Sequence, residues 1–262
     1  MLTSKMRVYE LSKQKNIRDL GGLKGANGKT IKFGRLFRGG SLNKVSEEDV
    51  PILESLHLTD IVDFRSKDEF TYRPDYRLEG VKYHNFTTFE HEHKKEDIAH
   101  DDGNLLWFMN QGDTGFKHLV RTYKELVDNE EGQQAFSNLF KIIMSDNKRV
   151  IYFHCSQGKD RVGVAAYLIE SALGVDEDTK IEDYLLSNVA MEKRRDRLIE
   201  AVKDRPFYNE QYKQDLLEVF SAKIEYLEET IKIINSKYGG VISYLENILK
   251  VDITKLREMY LE

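Results

Sequence analysis

A chain of 262 residues, 40% hydrophobic and 11% aromatic, has the apolar content of a large folded unit and is not that of a disordered protein. Its 40 basic and 45 acidic residues, a formal net charge of −5, argue against a protein whose main task is to grip nucleic acid. A single cysteine, Cys155, excludes an intrachain disulfide and a structural zinc site built from several cysteines.

The first twenty residues contain no continuous apolar core and no small-residue cleavage site, so no ordinary secretory signal peptide is expected. Nowhere does an apolar run reach the roughly 18 residues of a membrane span. The expectation is a soluble, cytoplasmic protein, with export by a signal-free route left open. Asn16 to Gly28 is rich in Gly and Asn and reads as turns. Ile31–Phe33 and Leu36–Arg38, on either side of Gly34, read as short strands, and Ser46 with Asp49 as a helix start blurred by Pro51. Ile61–Phe64 and Val81–Phe86 are further strand candidates. Between Glu90 and Gly115 the pattern is irregular. Trp107, Phe108 and Met109 there suit a well-packed connection better than a mobile flap.

From Phe116 the apolar period becomes helical: Phe116, Leu119, Val120, Tyr123, Leu126 and Val127, then Phe136, Leu139, Phe140 and Ile143. Val150–Phe153 reads as a buried strand, Val162–Leu173 as a helix stopped by Gly174. The remainder reads as helical, with one long segment from about Gln211 to Ser236, separated by Pro206 from the basic stretch Lys193–Arg205. The class is α/β, strands early and helices late.

The chemistry sits between that strand and that helix, in His154-Cys155-Ser156-Gln157-Gly158-Lys159-Asp160-Arg161. A strand–turn–helix arrangement turns several backbone N–H groups into one concavity at a helix N-terminus, where the macrodipole adds positive charge and an anion is bound. Thiols in such places ionise well below the ordinary value near 8.5. Gly158 allows close backbone approach, and Gly163 leaves room for the helix to pack near the strands. Arg161 offers a planar fork to two phosphate oxygens. Cys155 is then read as an in-line nucleophile on phosphorus, with Arg161 and the amides holding the equatorial oxygens.

The run His-Cys-Ser-Gln-Gly-Lys-Asp-Arg-Val-Gly resembles the signature of cysteine-based protein tyrosine phosphatases. It is most similar to the bacterial and fungal branch with Gly-Lys-Asp-Arg in the loop, which includes tyrosine and phosphoinositide phosphatases. Asn16–Gly22, Gly34–Arg38, Asp63–Ser66 and Asp183–Asn188 carry the same resemblance, which covers most of the chain to about residue 190. The resemblance implies one phosphatase domain over 1–262, with a core of about 16–190 and a helical part of about 191–262. It implies a central, mostly parallel β-sheet flanked by helices. It also implies hydrolysis of phosphotyrosine through a phosphocysteine, with phosphoserine, phosphothreonine and phosphoinositides as further substrates of the branch. Cofactors are not called for. The expected partners are a phosphorylated protein or phosphoinositide, with phosphate or vanadate as loop ligands; nucleic acid is not among them. Ser156, Gln157, Gly158, Lys159, Val162 and Gly163 are the expected substrate-binding positions. Val162 departs from the family, which commonly has a threonine or serine there to help the thiolate leave. This departure implies a slower second step and leaves open the alternative of a low-turnover phosphate- or phosphoinositide-binding module. Arsenate reduction lacks resolving cysteines here, and sulfur transfer normally uses a loop without this lysine-aspartate-arginine run.

The leaving oxygen needs a proton. Asp160 matches the acid proposed for Gly-Lys-Asp-Arg members, while Asp113 and Asp128 are the alternatives outside the loop, and a purely loop-stabilising role for Asp160 stays open. Lys159 reads either as a point charge for a second phosphate or as a solvated lysine. His154 reads as a structural residue that fixes the loop. Arg65 reads as half of a buried pair with Asp19 or Asp63, ahead of a substrate contact. Glu90–His93 with His100–Asp102 holds metal-capable residues, though a solvated polar loop is the preferred reading. Lys193–Arg197 reads as an exposed helix face rather than a lipid-binding patch.

Overall fold

In the computed structural model, residues 7–12, 16–89 and 114–262 are described. Six strands form one mixed sheet: β1 (Val8–Tyr9), β2 (Ile17–Asp19), β3 (Leu36–Gly40), β4 (Asp60–Asp63), β5 (Lys82–Asn85) and β6 (Ile151–Cys155), in the order β1-β2-β3-β6-β4-β5. β3, β6, β4 and β5 run parallel, and β1 and β2 add an antiparallel edge. The longer described helices are α1 (Val50–Ser55), α2 (Lys67–Tyr72), α3 (Gly115–Asp128), α4 (Glu130–Ile143) and α5 (Asp160–Leu173). They continue with α6 (Glu177–Leu185), α7 (Ser187–Val202), α8 (Glu210–Val219), α9 (Ile224–Tyr238) and α10 (Ile253–Tyr260). None of them is long and apolar enough to cross a membrane.

β6 is central because its side chains are wanted on both faces. Ile151 and Phe153 join one apolar cluster with Leu36, Val62 and the inner faces of α3, α4 and α5. Tyr152, pointing the other way as strand alternation demands, joins Phe37, Ile61, Leu53 and Leu56. Tyr226, Leu227, Tyr244 and Tyr260 from the C-terminal part enter the first cluster. Met191, Val202, Tyr212, Leu216 and Phe220 make a smaller one of their own.

The parallel registers bring the carboxyl ends of the strands together. Gly40 lies opposite Cys155, and Asp63 opposite His154, so the loops after β3, β4 and β6 leave the same edge of the sheet. Open parallel sheets place ligands beyond the carboxyl ends of their strands.

Three local expectations change. Ile31–Phe33 is not a strand, because Ile31 forms only a lone bridge to Leu261, and the turn at Gly34 (φ +69°) follows at once. Conversely, β2 lies within the stretch read as turns, since Arg18 and Asp19 find register partners in β3. The expected helix 211–236 is broken between Val219 and Ile224. The break is held from far away in sequence: the Asn188 side chain donates to the Ala222 carbonyl (2.8 Å) and accepts from its N–H (2.7 Å). Other features stand as read: the Ser46/Asp49 capping box, the helix stop at Gly174 (φ +78°), and the strand–turn–helix around Cys155.

Candidate active site

Cys155 ends β6 with its thiol almost wholly buried, and α5 begins at Asp160. The intervening loop is gripped by its carbonyls. Those of Gln157 and Gly158 each accept from Asn16 Nδ2 (3.0 Å), Gly158 also accepts from Arg38 Nη2 (3.2 Å), and Ser156 accepts from Ser41 N (3.3 Å). A trans peptide points its N–H opposite its C=O. Three carbonyls held on one side therefore present the N–H groups of Gln157, Gly158 and Lys159 on the other, a run of donors of the kind that forms anion nests. Gly158 has φ +68°, and a Cβ there would stand 2.3 Å from the Gly39 backbone. Only glycine fits, and Gly39–Gly40 on β3 is the reason.

The donors behind the loop are themselves fixed. Asp183, on α6 and 1% exposed, accepts from Arg7 (2.5 Å), Arg18 (3.1 Å) and Arg38 (2.6 Å). Burial alone would raise its pKa, but the three guanidinium groups hold it far below the carboxylate range. Arg18 is lowered to about 10, first by burial and then by Arg38.

On the other flank, Arg161 forms a two-pronged pair with Glu69 of α2: Nη1 to Oε2 at 2.6 Å and Nη2 to Oε1 at 3.0 Å. Glu69 Oε1 also accepts from the Ser156 hydroxyl, and Oε2 from Ser66 N (3.0 Å), which caps α2. Burial works against the charge on Glu69, yet Arg161 outweighs it and holds the carboxyl well below its usual range. Arg161 keeps 16% of its side-chain surface exposed. Glu69 belongs to none of the motifs singled out in the sequence. The available signal was Ser66-x-x-Glu69, a capping box directly after β4 and hence at the same sheet edge.

His154 has the structural role expected: Nε2 lies 3.1 Å from Asp75 Oδ2. Burial lowers its pKa, but Asp63 and Asp75 overcome this and raise it. Arg65 is paired with Asp63 (2.7 Å) and Asp75 (2.8 Å), so the buried-pair reading holds, with Asp63 as the partner foreseen. Ligand-capable atoms of Asp63, Asp75 and His154 lie within 4.8 Å of one another, but the Arg65 guanidinium already supplies the positive charge between the two carboxylates.

Asp160 stands at the first position of α5, its Oδ1 accepting from the Tyr123 hydroxyl (2.9 Å) and pairing with Lys159 Nζ (2.7 Å). Lys159 is not solvated: it has no exposed surface and donates to the Ser221 carbonyl (3.1 Å) in the break between α8 and α9. Val162 also has no exposed surface and belongs to the main apolar cluster, so its side chain packs rather than lining the site. A Cβ on Gly163 would lie 3.0 Å from the Tyr184 ring of α6 and 3.8 Å from Arg38 Nη2 of β3. Asp128 closes α3 with Lys237 (2.5 Å) and Tyr238 (2.9 Å), away from the loop residues. Asp113, Trp107–Met109 and the cluster Glu90–His93 with His100–Asp102 lie outside the described residues.

Residues 9–262 match the model of a tyrosine phosphatase family. A protein of Cupriavidus necator named as a tyrosine-protein phosphatase is 29% identical over 249 residues, 94% of this chain and 85% of its own length. The triple specificity protein phosphatase PtpB of Mycobacterium tuberculosis is 24% identical over 283 residues, 98% of this chain and all of its own. The crystal structure of P. aeruginosa TpbA overlaps 88% of this chain and 99% of that one, with a TM-score of 0.31 and 12% identity.

Proposed function

The chain belongs to the tyrosine phosphatase family, and from that premise we propose that Cys155 is its nucleophile, Arg161 its phosphate clamp and Asp160 its general acid, acting on phosphotyrosine. The observation that carries this reading is the loop itself. Three peptide carbonyls are tied down on one side of it, and the thiol at the end of β6 and the Arg161 fork frame the same turn.

The Cys155 thiolate attacks phosphorus; the bond to the tyrosyl oxygen breaks, and Asp160 gives its proton to that oxygen as it leaves. The Arg161 fork and the amides of Gln157, Gly158 and Lys159 stabilise charge on the equatorial oxygens. Water then attacks the phosphocysteine and passes a proton to the Asp160 carboxylate. The sulfur–phosphorus bond breaks, and phosphate and the thiolate are regenerated. Ser156 and Glu69 orient Arg161 for this work.

Lys159 serves Asp160 and the Ser221 carbonyl in this arrangement. A second phosphate on an inositol ring would have to draw it away from both, which ranks phosphotyrosine ahead of phosphoinositide as substrate.

The wild-type protein is expected to hydrolyse p-nitrophenyl phosphate in the presence of a chelator, with vanadate inhibiting as a mimic of the pentavalent transition state. Cys155→Ser should reduce turnover to background. Turnover that persists in that variant would overturn the mechanism.

A further inference from the structure

The two oxygens of Asp160 are in different situations. Oδ1 accepts from the Tyr123 hydroxyl at 2.9 Å and pairs with Lys159 Nζ at 2.7 Å, whereas no donor from the described residues reaches Oδ2. Tyr123 is fully buried on α3, its ring edge-on to Tyr184 (6.3 Å) and tilted against Tyr226 (5.7 Å). Its backbone carbonyl accepts from Thr230 Oγ1 (2.9 Å), which pins the helix at that residue to α9. The Tyr123 hydroxyl lies 2.7 Å from that of Tyr184, which also reaches the Lys223 carbonyl (3.2 Å). A phenol has one hydrogen to give. With that of Tyr123 committed to the carboxylate, the single hydrogen of Tyr184 serves either Tyr123 or the Lys223 carbonyl. Burial, then the neighbouring Asp160 carboxylate, pushes the Tyr123 pKa well above its ordinary value, so Tyr123 remains a donor throughout the working range.

Building on the assignment of Asp160 as general acid, we infer that Tyr123 is a positioning residue that selects which oxygen of Asp160 carries the catalytic proton. Two donors on Oδ1 make it the poorer site for a proton and leave Oδ2 to hold one and deliver it. The carboxyl plane is fixed at the same time, because its acceptor edge is tied to a rigid aromatic residue rather than to solvent. The reaction needs a proton donor of fixed direction only when the leaving group is a poor one. The effect of Tyr123 therefore scales with leaving-group basicity, as a merely structural role would not.

The experiment measures kcat/KM, which reports the step that breaks the bond to the leaving group, on p-nitrophenyl phosphate, whose leaving group needs little help, and on phenyl phosphate, whose leaving group needs more. Four proteins are compared: wild type, Tyr123→Phe, Asp160→Asn and Tyr226→Phe. Removing a hydrogen bond to a charged group that acts in proton transfer is expected to slow phenyl phosphate about 10-fold in Tyr123→Phe, with p-nitrophenyl phosphate changed about 2-fold or less. Tyr226→Phe deletes a neighbouring hydroxyl that bonds to Glu218 instead, and should change both substrates by the same small factor. Equal losses on both substrates in Tyr123→Phe, with Asp160→Asn still leaving-group dependent, would overturn the role of Tyr123 and leave the acid in place. No leaving-group dependence in Asp160→Asn would overturn the acid, and Tyr123 with it. Should Tyr123→Phe fail to fold, Tyr184→Phe is read the same way. Loss of the hydroxyl that lies 2.7 Å from that of Tyr123 should slow phenyl phosphate about 3-fold more than p-nitrophenyl phosphate, and equal factors there would equally overturn the inference.

Discussion

Two carboxylates flank the loop, and the same pairing with arginine serves opposite ends in them. Asp183 takes three guanidinium groups and is shut away from solvent. Of its arginines, Arg7 also donates to the Asp19 carbonyl, Arg18 to the Asn16 side chain, and Arg38, together with Asn16, to the Gly158 carbonyl. Glu69 takes one guanidinium, from Arg161, which retains exposed surface. Asp183 thus holds the backbone of the loop, whereas Glu69 aims the side chain proposed to clamp the phosphate. An ion pair's meaning lies in what the arginine does next, not in the pair.

The sharpest way to break that comparison is to neutralise each carboxylate in turn. Asp183→Asn leaves buried arginines uncompensated and is expected to cost about 3–5 kcal/mol of stability, read from the urea unfolding midpoint. If Glu69→Gln costs as much, the two flanks do the same job and the distinction falls. The expectation instead is that Glu69→Gln loses less stability and shows its effect in catalysis. A charge-assisted bond of about 1.5–3 kcal/mol to Arg161 corresponds to about 10- to 100-fold in kcat/KM, equal for good and poor leaving groups because proton transfer is not involved.

A smaller effect, in pH dependence, separates the two kinds of support further. Glu69 and Asp183 have depressed pKa values, so their contribution is present above the unfolded carboxylate value of about 4 and is lost as pH falls. His154 has a raised pKa, so its contribution is complete below the unfolded value of about 6.5 and is lost as pH rises through the raised folded value. Stability should therefore decline on both sides of mildly acidic pH. Asp75→Asn, which removes the partner of His154 Nε2, should flatten the alkaline side in urea titrations at several pH values. An unchanged alkaline slope in that variant would show that His154 gains nothing from Asp75.

Much of the site was legible because it is local. The β-branched and aromatic run before Cys155, the glycine inside the turn and the helix after it are dictated by backbone geometry and strand alternation within some twenty residues. Asn16, Arg18, Asp63, Arg65 and Asp183 were visible as pieces of a family pattern, but not as a set of supports. Glu69 is missing from that reading because its partner, Arg161, is 92 positions away and only the β4–β6 register brings them together. Along the sequence Lys159 fits a rim charge or a solvated lysine equally well, since nothing local announces that Ser221 will arrive to accept from it. Helical periodicity ran straight through residues 220–223 for the same reason: Asn188 and Tyr184, which hold that break, belong to other helices.

By itself, then, the sequence determined the strand–turn–helix that carries Cys155 and Arg161, the proposed reacting centre, because that arrangement is set by short-range sterics and by the donors that every helix start leaves unpaired. Tertiary structure alone decided which face of Asp160 is occupied, which acid aims Arg161, and why Gly158 must be glycine. Each of those depends on atoms from distant segments meeting within about 3 Å, a distance at which hydrogen bonding and steric exclusion act and which no pattern along the chain encodes.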